Sequence, residues 1–128
     1  MSSEQNKAVV RRFTYDILAG GNVDLIDELV APNYINHGLG GAGRGVFKEA
    51  VAGMQALRPL IAIKELVAEG DAVVARLVYE LTPPGGEQLM VEGLTYYRLA
   101  NGQIVEDDPM TRPDVFPELA KVLAPTTS

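Results

Sequence analysis

Residues 88–108 read QLMVEGLTYYRLANGQIVEDD. Asn101 and Gly102 stand near the middle. Both residues tolerate positive φ, and an Asn-Gly pair between two apolar-rich runs is a strong short-range signal of a β-hairpin. The stretch predicts two antiparallel strands, residues 88–99 and 103–108, with Pro109 and Pro113 stopping the second. With Asn101–Gly102 as a two-residue turn, Ala100 faces Gln103, Tyr97 faces Glu106 and Thr95 faces Asp108. Thr95, Tyr97, Glu106 and Asp108 then share one side of the hairpin, and Tyr96 and Asp107 share the other. A bulge before Pro109 would exchange the two aspartates.

Working upstream, residues 72–81 keep the period of two, with Val73, Ala75, Leu77, Tyr79 and Leu81 on one face. Residues 60–68 form another strand, joined to it by a turn at Glu69, Gly70 and Asp71. The run Pro83, Pro84, Gly85, Gly86 breaks the chain before the hairpin. Before residue 60 the period is helical. Ser2 and Gln5 have capping-box spacing ahead of Val9, Val10, Phe13, Ile17 and Leu18. Gly20 and Gly21 end that helix. Asn22 caps a second one, with Leu25, Ile26, Leu29 and Val30 as its buried face and Pro32 as its stop. Residues 44–57 form a third, closed by Pro59. Residues 115–123 read as a last short helix and 124–128 as a frayed tail. Helices within 4–57, then an antiparallel meander over 60–109, predict an α+β domain: a curved antiparallel sheet wrapped around the N-terminal helices, forming a cone with an apolar pocket. The length of 128 residues suits one domain over 1–128, with an ordered core about 4–123.

Composition removes several function classes. There are no cysteines, so disulfide and thiolate chemistry are absent. The formal charge is −6, and Arg11–Arg12 is the only adjacent basic pair, which argues against nucleic acid as a partner. No apolar run approaches the ~18–20 residues of a membrane span, and no apolar signal region opens the chain, so a cytoplasmic protein is expected. Every serine lies at a terminus and no Gly-x-Ser-x-Gly elbow exists. Residues 38–45 lack the lysine and the preceding strand of a phosphate-binding loop. One histidine with scattered carboxylates argues against a dedicated metal site.

A set of short elements in order also resembles a known family. They are NKAV at residues 6–9, Phe13, GGNVD at 20–24, LVAP at 29–32 with Tyr34 and His37, VAEGD at 67–71, Gly93, YRL at 97–99 and GQIVE at 102–106. Together they look like the SnoaL-like polyketide cyclases of the nuclear transport factor 2-like superfamily. The resemblance implies a cofactor-independent cyclase or isomerase that moves protons on a small hydrophobic carbonyl compound, and commonly a homodimer formed through the sheet. A non-catalytic protein that binds a small hydrophobic molecule in the same cone is the alternative. The family members matched use a histidine on the third predicted strand and an aspartate just past the fourth. Anchored on Gly93 and on residues 102–106, those positions fall on Thr95 and Pro109. Asp107 and Asp108 immediately precede the latter, so a shifted carboxylate can substitute.

The candidate catalytic residues are therefore Asp108, on the Thr95 side of the hairpin, with His37 and Asp107. A carboxylate in an apolar cone acquires a raised pKa and can exchange protons. An imidazole titrates near neutral pH, although His37 could equally pin its loop by bonding a carbonyl. His37 is expected at the pocket mouth, with the glycines of residues 38–43 giving slack for a lid. Tyr97 is expected to orient a substrate oxygen, and Tyr15, Tyr34, Met54, Leu57 and Thr95 complete the expected binding set. No metal or organic cofactor is expected.

Overall fold

The structure, a computed structural model, describes residues 2–115. The expected last helix, apart from its first residue, and the expected frayed tail lie outside the described residues. At the start, Ser2 Oγ accepts from the Gln5 N–H at 3.1 Å, and Gln5 Oε1 accepts from the Ser2 N–H at 2.8 Å. This reciprocal cap opens helix α1, Ser3–Arg12, which runs directly into a π-helical segment, Phe13–Ala19. Val10, Phe13 and Ile17 are fully buried along its inner face. The chain reverses at Gly21, whose φ is +70°, and a Cβ there would stand 2.7 Å from the Gln55 side chain. Gln55 uses that space: its Nε2 donates to the Leu18 carbonyl at 3.2 Å and to the Val51 carbonyl at 3.1 Å. The end of the first helix is thereby tied to helix α3, Arg44–Met54.

The second helix is shorter than its apolar spacing predicts. A 3-10 turn, Val23–Leu25, leads into α2, Ile26–Leu29, and the next residues, Val30–Asn36, form strand β1. Pro32 therefore lies inside a strand and is not a helix stop. Two features allow it. β1 is an edge strand, and its register slips around the proline: Val30 pairs with Ile104 but Ile35 with Glu106. Pro32 and Asn33 sit exposed in the irregular stretch, where no ladder N–H is required.

The other strands are β2 (Leu60–Glu69), β3 (Ala72–Leu81), β4 (Leu89–Ala100) and β5 (Gln103–Arg112), in the spatial order β1-β5-β4-β3-β2. The meander β2–β5 is antiparallel throughout, as its short turns demand. Only β1, contributed by the helical half, joins parallel, so the curved open sheet is mixed. The helices cover one face of it. The β4 burial pattern alternates without a break: Val91, Gly93, Thr95, Tyr97 and Leu99 face the helices, while the residues between them are exposed.

One irregularity decides the site. Leu99 pairs with Ile104, yet Arg98 pairs with Glu106, so Val105 is an extra residue in β5. Everything after it is turned over relative to a regular hairpin. Tyr97 faces Asp107 and Thr95 faces Pro109. Pro109 does not stop the strand, because β1 ends opposite Asp107 and no strand lies beyond it to ask Pro109 for a hydrogen bond. Among the described residues no helix is long and apolar enough to cross a membrane.

Candidate active site

A cavity lies between the helices and the inner face of the sheet. Leu18, Leu39, Phe47, Val51 and Met54 line it from the helical half, and Leu81, Val91, Thr95, Tyr97, Asp107, Pro109 and Thr111 from the strands. It offers about 90 Å³ to the centre of a water-sized sphere, several times what one water occupies. Phe47 forms much of one wall. Its ring stacks on Phe13 at 5.5 Å and tilts against Tyr34 at 5.2 Å. Gly93 makes room opposite, since a Cβ there would come within 2.9 Å of the Tyr79 ring, which borders the cavity.

The polar groups gather at one end. Asp107 is 5% exposed. Its Oδ2 accepts a hydrogen bond from the Tyr34 hydroxyl at 3.0 Å, and that hydroxyl accepts one from Asn36 Nδ2 at 2.8 Å. Asn36 Oδ1 accepts from the Leu39 N–H at 3.1 Å. Burial pushes the Asp107 carboxyl up to about 7; the Tyr34 hydrogen bond opposes this, the charge of Asp108 adds to it, and His37 opposes it. The phenols of Tyr34, Tyr79 and Tyr97 are all raised, first by burial and then by the nearby Asp107 charge, so they remain protonated donors. Thr95, 2% exposed, lies within hydrogen-bonding reach of both Tyr79 and Tyr97.

Several expected site residues move. Asp108, placed toward the cavity by the uninterrupted hairpin count, is exposed on the outer face, and Asp107 takes the inner position because of the extra Val105. His37 is not at the pocket mouth. It follows Asn36, which turns inward beside Asp107, so its own side chain turns outward, 44% exposed, with Nε2 3.6 Å from Glu106 Oε2. Tyr15 does not line the cavity: its hydroxyl accepts from the Ile63 N–H at 3.0 Å and fastens the first helix to β2. Leu57 also lies off the lining, its carbonyl accepting from the Thr82 N–H. Tyr34 does not line the cavity but donates its hydroxyl hydrogen bond to Asp107, while Met54, Thr95 and Tyr97 are lining residues. Asn36 and Tyr79 also border the cavity and stand outside the expected set; the inward alternation of Tyr79 with Leu77 and Leu81 carried a signal for the second. Among the described residues no group of three or more His, Cys, Asp or Glu side chains could hold a metal ion.

His37 touches Asp107 only through its field, so His37→Gln should leave the fold intact and change turnover by less than about tenfold. A loss near the ~10²–10⁴ of a missing acid/base group, measured at unchanged melting temperature, would refute that.

The sequence profile of the SnoaL-like domain matches residues 10–107. The chain belongs to the SnoaL-like family. Among curated proteins none matches the sequence. Solved structures share the fold. A proposed polyketide cyclase from Acidithiobacillus ferrooxidans is 26% identical, with a TM-score of 0.76, over 95% of this chain and 99% of that one. IdmH from Streptomyces antibioticus, also a proposed polyketide cyclase, is 20% identical, with a TM-score of 0.74, over 91% and 99%. An epoxide hydrolase from M. tuberculosis is 17% identical, with a TM-score of 0.75, over 94% and 93%. In this SnoaL-like domain the two positions that the resemblance assigns to the acid/base pair, Thr95 and Pro109, face each other across the β4–β5 ladder and both line the cavity. Neither can ionise. Asp107 lies two residues before Pro109 and so shares its face.

Proposed function

We propose that this SnoaL-like protein is an acid/base enzyme that moves a proton on a small, uncharged, hydrophobic carbonyl compound. The observation that carries the reading is Asp107: a buried carboxyl, raised to about 7, at the polar end of an otherwise apolar cavity. A group poised there is half ionised at neutral pH and both takes and returns protons efficiently. As carboxylate it would remove a proton α to the carbonyl. The negative charge that develops on the substrate oxygen would meet the hydroxyls of Tyr97, Tyr79 and Thr95. Among the described lining residues none is Lys or Arg, which favours an uncharged substrate. Ring closure, as in the polyketide cyclases, is one outcome of such an enolate, and double-bond migration is another. The reaction needs no group beyond the chain's own.

The test is proton exchange. Incubation in D2O with a panel of aromatic ketones and polyketide-like compounds should show deuterium entering the α-carbon of bound members, and Asp107→Asn should stop it. Tight binding with no exchange in any member would instead select the non-catalytic binding protein.

The same chain is proposed to form homodimers through the outer face of its sheet. Val67 stands opposite Val74, Val74 opposite Tyr96, and Leu94 opposite Met110, all with substantial exposure. The same face carries charges within it, Arg76 opposite Leu94 and Asp108 opposite Tyr96, with the Arg112–Glu92 pair beside them, and such a mixed face suits a second copy that pairs its apolar residues and matches its charges. Leu94→Glu should convert a dimer to a monomer in light scattering, and a wild-type protein that is already monomeric at high concentration rules the proposal out.

A further inference from the structure

Asn36 is 4% exposed and borders the cavity, yet the proton transfer proposed above makes no use of it. Its hydrogen bonds allow one orientation of the amide. A backbone N–H can only donate, so the atom facing Leu39 is the carbonyl oxygen. The atom facing Tyr34 is then the amino group, which also can only donate. The Tyr34 oxygen accepts that bond and has one proton of its own, which goes to Asp107 Oδ2. Every link from Leu39 to Asp107 thus has a fixed sense.

The consequence falls on the carboxyl. Oδ2 already accepts from Tyr34, and remains an acceptor whether Asp107 is charged or neutral. When Asp107 is neutral, its carbonyl oxygen is the stronger acceptor, so the Tyr34 bond favours Oδ2 as the carbonyl and places the proton on Oδ1. Asp107 borders the cavity and Tyr34 does not, and Oδ1 is the oxygen that the Tyr34 bond leaves for a ligand. We propose that Asn36 is a positioning residue: held by the Leu39 N–H, it sets the direction of the hydrogen-bond chain through Tyr34, so that the exchangeable proton of Asp107 is carried on Oδ1, toward the cavity. This inference rests on Asp107 being the acid/base group. It gives the loop that carries Leu39 a second task, because the same residue lines the cavity and anchors the chain.

The test needs no substrate. Aspartate carboxyl titration is followed by carbon NMR in the full chain, assigned with Asp107→Asn. Removing the amide in Asn36→Leu frees the Tyr34 hydroxyl to turn away, and the Asp107 pKa should rise by about half a pH unit or more. In a Tyr34→Phe background the same substitution should add nothing. The other groups around Asp107, namely Tyr79, Tyr97, Asp108 and His37, are unchanged in both backgrounds and cancel. An equal rise without the phenol would show that Asn36 acts on Asp107 directly, and no rise in either background would show that it does not act; both overturn the proposal. Should Asn36→Leu fail to fold, Asn36→Asp keeps an acceptor for the Leu39 N–H but presents a second acceptor to Tyr34. It should raise the Asp107 pKa further than the leucine variant, and an unchanged titration in a folded Asn36→Asp protein overturns the proposal. Absence of proton exchange on any ketone would undo the catalytic reading while leaving this titration result standing.

Discussion

Asp107→Asn should abolish activity and stabilise the protein at alkaline pH. The activity loss is expected at roughly 10²–10⁴, the usual size of a missing acid/base group. The stability gain follows from the raised carboxyl. Its folded pKa is about 7, against 3.8 for the ordinary side chain. Between those values the folded state holds a proton that the unfolded state has lost, so wild-type stability falls as pH rises from about 4 to about 7, and is level above. Over about three pH units at ~1.4 kcal/mol each, the cost of charging Asp107 reaches about 4 kcal/mol at pH 8. Asparagine keeps an oxygen for the Tyr34 hydroxyl and never charges. Urea unfolding at pH 5 and pH 8 checks this: the difference between variant and wild type should grow in favour of the variant as pH rises. Equal slopes for the two proteins would mean that Asp107 titrates normally, and the proposed chemistry would lose its base.

Phe47→Ala should cost about 3–5 kcal/mol. The ring is 3% exposed, stacks on Phe13 and touches Tyr34, so its removal leaves a hole where α3, the first helix and β1 meet. Against a typical ~5–15 kcal/mol for a domain, that is a large fraction of the total. The substitution also enlarges the cavity on the side of Tyr34. A thermal melt should show the loss, and small aromatic compounds should recover part of it by filling the space. A loss below ~1 kcal/mol would mean that Phe47 packs only as cavity lining and not as core.

The fold was largely legible because its signals are local. The Ser2–Gln5 cap, the alternation in β3 and β4 and the Asn101–Gly102 turn each depend on a few adjacent residues, and each formed. β1 was illegible for a complementary reason. Ile26, Leu29 and Val30 keep helical spacing into Pro32, and only the tertiary pairing of Val30 with Ile104 makes the segment a strand. The site was half legible. Alternation put Thr95 and Tyr97 on one face and the family resemblance chose that face for the cavity, while Met54 followed from the helical period. The choice between Asp107 and Asp108 rested on counting residues back from the turn, and one extra residue at Val105 reverses such a count. Counting from the other end was more reliable. If Pro109 holds a cavity position, its neighbour two residues earlier must share that face, and that neighbour is Asp107. Asn36 left no trace, since its value comes from partners that meet only in three dimensions.

The extra residue in β5 makes the acidity of the interior depend on a backbone irregularity and not on the length of the strand. Ile104 and Glu106 already pair with the adjacent residues Leu99 and Arg98, so deleting Val105 would close the bulge and leave Asp107 opposite Tyr97. Straightening the strand with Val105 kept has the opposite result. Val105 would then take the place opposite Arg98, Asp107, Pro109 and Thr111 would turn outward, and Glu106, Asp108, Met110 and Arg112 would turn inward. A loss of one residue is silent here, whereas a change that irons out the kink would rebuild the interior without replacing one side chain.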